Sequence, residues 1–305
     1  ANSIITGLLG GGIGAMIGVV AAEVLKSPDD MAFRSDAQVR FDSGVWVGII
    51  GLVLGATLAS WSALTSQAWE RAVRDALIGG IVGAVAGFVG GYSAQWIFST
   101  MLESLADDYW DPPTQSEIEN RILLARAVGW GLFGTVLGGG LGLPGGARKT
   151  VNGVIGGAIG GMLGGVAFEL LGRQAEMGDS GFMFRAIGMV LTGIGIGLAI
   201  GLVDRITRQA WIQFSSGPLR GREVILFKPR TSIGGSAMCD VVLANDPTTS
   251  PLHATIVQSP SGLAVEPAGP VEVDGVSVTG HHPLRPGQVV RIGRSDLTVG
   301  SRAVR

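Results

Sequence analysis

Residues 151–171, VNGVIGGAIGGMLGGVAFELL, hold one ionisable side chain, Glu169, and place glycines at every fourth position through Gly156, Gly160 and Gly164. About twenty apolar residues cross a bilayer core, and residues four apart share a helix face. The stretch therefore predicts a transmembrane helix with a glycine groove along one side. Such a groove lets a neighbouring backbone approach closely. Glycine lowers helix propensity, so a stripe kept this regular implies tight helix packing.

Five further stretches read the same way: Ile4–Leu25, Gly44–Leu64, Leu77–Ile97, Ala125–Leu143 and Phe182–Leu202. The packing glycines expected on them are Gly14 and Gly18, Gly83 and Gly87, Gly134 and Gly138, and Gly193 and Gly197, with Gly160 and Gly164 on the stretch above. The sequence leaves open whether the helices filling these grooves belong to the same chain or to another copy. The fold class expected for residues 1–212 is an α-helical polytopic membrane domain of glycine-zipper type, with no recognised family beyond that.

The spans also repeat. Ile13–Glu23, IGAMIGVVAAE, matches Ile159–Glu169, IGGMLGGVAFE, and the third span follows the same frame with Tyr92 where the glutamate would fall. The second and sixth spans are followed by related segments, Thr65-Ser66-Gln67-Ala68-Trp69 and Thr207-Arg208-Gln209-Ala210-Trp211. Two helix types thus alternate along the chain.

Composition agrees with a bilayer. Charged residues make up 15%, against about a quarter in soluble domains, and the mean hydropathy is positive. The net charge of −2 gives no bulk attraction for nucleic acid. The single cysteine, Cys239, forms no intrachain disulfide and fits a reducing compartment. His253, His281 and His282 all lie in the last third, so the apolar part offers no histidine to haem or metal. No metal site or cofactor is expected. The first apolar stretch is long enough to span and lacks a basic leader, so it reads as a helix rather than a signal peptide.

Loop charges alternate. The first loop, Lys26 to Asp42, and the third, Glu103 to Glu119, are acid-rich, with Asp107, Asp108 and Asp111 in the latter. Arg148 and Lys149 in the fourth loop, and Arg205 and Arg208 after the sixth span, mark the cytoplasmic side. The amino terminus and the carboxy-terminal domain are therefore expected in the cytoplasm, and the chain in a cytoplasmic membrane. In the third loop, Trp110-Asp111-Pro112-Pro113 reads as an interfacial tryptophan before a rigid turn, with Ser116 as a helix cap. Glu23 and Glu169 are the two acids within the spans. Intramembrane ionisable groups are functional suspects by default. Both lie near span ends, where an interfacial role competes with a proton or cation site.

From Gly217 to Arg305 the pattern changes to short alternating strands with turn residues between them, Asp274-Gly275 being a hairpin signal. Many short strands in so few residues predict an antiparallel sandwich. Nine strands are expected, from Glu223–Phe227 through Leu297–Val299.

Within this region Ile233-Gly234, Asp240-Val241-Val242-Leu243, Ser250-Pro251-Leu252-His253-Ala254, Val273-Asp274-Gly275 and the Leu284–Gly293 segment follow one another in an order that resembles a forkhead-associated (FHA) domain. The resemblance implies a β-sandwich that binds phosphothreonine peptides through loops at one end. By the same resemblance Gly234, His253, Asp274 and Gly275 are structural in those loops, and Ser250 is a phosphate donor. Gly235 stands where the family has its arginine, Pro251 where an arginine often follows the serine, and Gly269-Pro270 where an asparagine holds the peptide backbone. Arginine is the usual phosphate partner. Lys228 and Arg230 are the candidates to replace its charge.

No catalytic constellation is present: no paired acids, metal-spaced Cys/His, nucleophile elbow or phosphate-cradling glycine loop. The expected function is not enzymatic. It is a membrane-anchored scaffold or adaptor whose FHA-like domain binds a protein partner, phosphorylated or not. A structural subunit of a larger membrane complex or homo-oligomer, or a channel or transporter regulated by the β-domain, are the alternatives.

Overall fold

The computed structural model describes residues 3–25, 35–106, 113–174, 181–259 and 262–302. It divides into two compact units. One joins residues 61–74 to the chain from Asp204 onward, and the other holds Ile4–Ser60 and Asp75–Val203.

Six helices occupy the first two thirds: α1 (Ser3–Leu25), α2 (Asp36–Thr65), α3 (Trp69–Ala106), α4 (Gln115–Gly142), α5 (Ala147–Gln174) and α6 (Gly181–Thr207). All six are long and apolar enough to cross a membrane, by length and composition. They run past the apolar spans because polar residues at their ends continue the helix. At the start of α4 the cap is Thr114, not Ser116. The Glu117 amide donates to Thr114 Oγ1 at 3.3 Å, and the Thr114 amide donates to the Glu117 carboxylate at 2.8 Å. This reciprocal box satisfies two amides that the helix itself cannot. The Trp110-Asp111-Pro112 turn, the acids Asp107 and Asp108, and most of the first loop lie outside the described residues.

Within the second unit each helix meets both its chain neighbours, and α6 closes on α1. Within the pairs α6/α1, α2/α3 and α4/α5 many contacts are backbone to backbone at glycines, while α3 and α4 meet through side chains, those of Ala94 at Gly129 and Val82 at Gly140. A Cβ placed on Gly134 or Gly138 of α4 would overlap the carbonyl oxygens of Gly157 or Gly153 of α5. The same holds for Gly83 of α3 against Gly51 of α2, and for Gly193 and Gly197 of α6 against Gly11 and Gly7 of α1. On the remaining sides, Gly14 and Gly18 of α1 face Leu54 and Ile50 of α2, and Gly87 lies 2.9 Å from the Gly48 Cα by the same measure. A Cβ placed on Gly160 or Gly164 of α5 would lie 2.5 Å from a Cα on α6, that of Ile196 or Thr192. All ten packing glycines read from the sequence therefore face helices of their own chain. Ile50, Leu54, Phe133, Leu137 and Ile196 fill the centre.

The ring is built from three similar antiparallel pairs, α6/α1, α2/α3 and α4/α5. In their common register Arg185 and Glu23 of the first pair correspond to Arg126 and Glu169 of the third, and Ser43 and Gln95 take those places in the second. Gly91 meets the Ser43 carbonyl as Gly165 meets that of Arg126. Gln95, rather than Tyr92, thus replaces the glutamate. Tyr92 instead stacks with Phe88 at 6.2 Å, and Phe88 packs edge-on against Phe41.

The β-domain begins at Ala210, earlier than Gly217. Its strands are β1 (Ala210–Phe214), β2 (Glu223–Leu226), β3 (Arg230–Gly234), β4 (Val241–Val242), β5 (Ala254–Ser259), β6 (Gly262–Pro267), β7 (Val271–Val273), β8 (Val276–Val278), β9 (His282–Leu284), β10 (Val289–Ile292) and β11 (Ser295–Ser301). One sheet runs β2-β1-β11-β10-β7-β8 and the other β4-β3-β5-β6-β9. All pairings are antiparallel except β3–β4, which is parallel, so the second sheet is mixed. Strands β1 and β9 were not foreseen; β1 follows α6 directly, and β9 is a short run interrupted by Pro283. Ile212, Phe214, Leu226, Ile233, Ile256, Val265, Val290, Ile292 and Leu297 close the core between the sheets. Each such burial stabilises by roughly 1.5–3 kcal/mol. Trp211 packs against Gly300 and lies under the Arg208 guanidinium at 4.1 Å.

Candidate functional site

Three loops meet at one end of the sandwich: residues 235–240 between β3 and β4, 243–253 between β4 and β5, and 268–270 between β6 and β7. Backbone bonds tie the first two together. The Gly235 amide donates to the Ser250 carbonyl at 2.9 Å and the Ser236 amide to the Pro251 carbonyl at 3.1 Å. A Cβ on Gly234 would strike the Pro251 carbonyl, so only glycine permits this closure.

His253 joins the second loop to the third. It is 1% exposed. The Ser250 amide donates to its Nδ1 at 3.0 Å, and its Nε2 lies 2.8 Å from the Pro270 carbonyl. An amide can only donate and a carbonyl only accept. The ring is therefore the neutral tautomer with its proton on Nε2. The Ala268 and Gly269 amides both donate to the His253 carbonyl. Gly269 stands over the imidazole, where a Cβ would come within 3.0 Å of the ring. An asparagine in that place would have to displace His253.

Carboxylates brace the rest. Asp240 accepts from the Ser232 amide and hydroxyl, both at 2.9 Å, and from Lys228 Nζ at 2.7 Å. Burial pushes its carboxyl up, but these donors outweigh it and hold it below the ordinary value. Asp246, which the sequence did not single out, accepts from Thr248 at its amide and hydroxyl and from the Arg294 amide at 2.8 Å, joining the β4–β5 loop to the β10–β11 turn. Burial again raises its carboxyl and the hydrogen bonds lower it further. The signal was local: an aspartate bonding the residue two on is an Asx turn. Asp274 and Gly275 both have positive φ, 51° and 81°, in the β7–β8 hairpin. The Asp274 carboxylate takes the Val289 amide and the Gln288 side chain, both at 2.9 Å, and so pins the hairpin to β10.

The candidate phosphate cations are committed elsewhere. Lys228 is paired with Asp240, and Arg230 with Glu266, which also meets His281 Nδ1 at 3.4 Å. Ser250 is half-buried at the junction of the three loops, and its hydroxyl has no hydrogen-bond partner among the described residues. Gly235 is exposed, and a Cβ there would meet only the Thr249 and Ser250 carbonyls at 3.4 and 3.7 Å.

The two acids within the apolar spans, Glu23 and Glu169, are also paired. Arg185 binds Glu23 through Nε at 2.7 Å and Nη2 at 3.2 Å. Arg126 lies 3.5 Å from Glu169 and covers the Phe98 and Phe168 rings. Each pair joins neighbouring helices of one antiparallel pair.

Residues 231–293 match the family model described as FHA domain. No curated protein matches the chain. Among solved structures the chain is similar to the FHA domain of the CT664 protein from Chlamydia trachomatis, at 23% identity, covering 31% of this chain and 99% of that one, with a TM-score of 0.29. It is similar to the cytoplasmic domain of the T3SS sorting platform protein PscD from P. aeruginosa, at 21% identity, 32% and 83% coverage and a TM-score of 0.29. The FhaA FHA domain, solved in complex with the intracellular domain of Rv3910, is similar at 22% identity, 30% and 98% coverage and a TM-score of 0.27. The helical region belongs to no recognised family, and residues 231–293 are an FHA domain.

Proposed function

We propose that this chain is a membrane-embedded adaptor that presents its FHA domain in the cytoplasm to a protein partner with little or no dependence on phosphothreonine. Six helices of spanning length support the anchoring, and the alternating loop charges support the cytoplasmic side. The observation that carries the reading concerns the expected phosphate partners: glycine stands where the resemblance places the arginine, and Lys228 and Arg230, the candidates to replace its charge, are held by Asp240 and Glu266. A charge-assisted bond to phosphate contributes about 1.5–3 kcal/mol, so its loss weakens binding by one to two orders of magnitude.

Calorimetry of the full chain in detergent against phosphothreonine peptides tests this. Binding should be no tighter than about 100 μM, with little preference over unphosphorylated peptides. Gly235→Arg, which the open space at Gly235 accommodates, should raise that preference. Micromolar, phosphate-dependent binding by the unaltered chain overturns the reading.

A further inference from the structure

Residues 61–74, which link α2 to α3, belong to the same compact unit as the sandwich. The linking turn is tight: the Gln67 amide donates to the Leu64 carbonyl and the Ala68 amide to the Ala63 carbonyl, both at 3.0 Å. Gln67 itself has a φ of 59°. The turn thereby presents three alanines on one side. Ala63, Ala68 and Ala72 are 2%, 7% and 2% exposed and cluster with Cys239 and Val242, with Ala244 packed alongside. Small side chains on both surfaces bring the backbones close.

Polar contacts surround this patch. Arg71 Nη1 donates to the Cys239 carbonyl at 2.7 Å and also to that of Asp240. Arg222 Nη1 donates to the Ser62 carbonyl at 2.9 Å, and Asn245 Nδ2 to Gln67 Oε1 at 3.3 Å. Arg74 reaches the sulfur of Met238. An apolar centre ringed by hydrogen bonds is the anatomy of a specific interface. Its charged donors aim mostly at main-chain carbonyls, so the recognition needs no phosphate.

We infer that the turn of residues 61–74 is the resident ligand of the sandwich, seated on the end of the β3–β4 loop and the residues after it, and that an outside partner meets only the part of the loop end built by Gly235 and residues 246–253 and 268–270. The last clause rests on the adaptor reading; the seating of the turn does not. The sandwich residues that meet the turn run from Met238 to Asn245, and Gly235 lies exposed outside them. Ser250 and Gly269 lie on the part left open, braced from beneath by the buried His253.

The single thiol of the chain reports on the seat, because Cys239 is 4% exposed and its apolar neighbours include the three alanines. Maleimide labelling of Cys239 should be slow in the full chain in detergent. Ala68→Arg, which forces a guanidinium into the patch, should speed it at least about tenfold, the factor for about 1.4 kcal/mol of weakened closure. Arg71→Ala should speed it less, and Arg285→Ala, which removes an exposed charge elsewhere, should leave it unchanged. Amide exchange over residues 238–245, read by mass spectrometry, should rise in step, while exchange in β10 and β11 stays constant and shows the sandwich still folded. Equal labelling rates in the unaltered chain and in Ala68→Arg, with unchanged exchange, would overturn the seat. That failure would leave the adaptor reading standing, since peptide titration tests it separately.

Discussion

Within the helix pairs α6/α1, α2/α3 and α4/α5 the atoms that meet at the glycines are largely main-chain atoms. Gly134 faces the Gly157 carbonyl, Gly193 faces Gly11, and Gly51 faces Gly83. Between the two sheets of the sandwich the atoms that meet are branched side chains: Ile212, Ile233, Ile256, Val290 and Ile292 are buried. The difference follows from the solvent each region is suited to. In water, burying large apolar groups is the main favourable term. Lipid is as apolar as leucine, so helices gain by close packing and removal of side chains that keep backbones apart. The regions also differ in polar design. The helices satisfy most of their backbone internally and join neighbours through pairs such as Arg185–Glu23, while the sandwich holds its loops with Asp240, Asp246, His253 and Asp274.

The sharpest break of this comparison is to add atoms where the helices meet. Gly134→Leu should destabilise the helical unit by about 3 kcal/mol or more, since overpacking without room to relax is at the top of its usual range. Removing one methyl from the sandwich, by Ile256→Val, should lose only about 1 kcal/mol. Thermal unfolding in detergent compares them, and equal effects would mean that the glycine contact is not a tight one. Next in size is His253→Ala. It strands the Ser250 amide and the Pro270 carbonyl, for a loss of about 2–3 kcal/mol. The same variant should leave the melting of the helical unit unchanged. A His253→Ala sandwich as stable as the original would show that the imidazole does not hold the loops.

The smallest expected effect is that of acid. Asp240, Asp246, Asp274 and Asp296 all have carboxyls held below their ordinary value in the folded sandwich. A depressed folded value contributes stability above the unfolded value and loses it as pH falls through the folded one. Sandwich stability should therefore be flat from neutral pH to about 5 and decline below about 4, near the ordinary aspartate value. A calorimetric series in pH, with Asp246→Asn flattening the decline, checks this.

Much of the site was legible because its parts are local. Asp274-Gly275 announced a hairpin, and the resemblance implied that Ser250 and His253 lie in the loops at one end. What was not legible depends on partners distant in sequence. Asp246 matters because the Arg294 amide lies beside it. Gly269 matters because the His253 ring fills the space a side chain would need. Nothing in Lys228 or Arg230 says that Asp240 and Glu266 will hold them. The glycine stripes predicted close helix contacts but not which helix fills each groove; the paired register of Gly134 with Gly157 and Gly193 with Gly11 assigns that.

The related segments Thr65–Trp69 and Thr207–Trp211 mark the boundary between the two kinds of knowledge. The sequence by itself determined that both segments follow an apolar helix. Only the tertiary structure decided their outcomes. Trp69 opens α3, while Ala210–Phe214 becomes the strand between β2 and β11. A strand needs hydrogen-bond partners from elsewhere in the chain, and Ile212 is paired on one side with Val224 and on the other with Val299. A helix closes its hydrogen bonds within itself, so its beginning can be read locally. A strand exists only where its neighbours arrive.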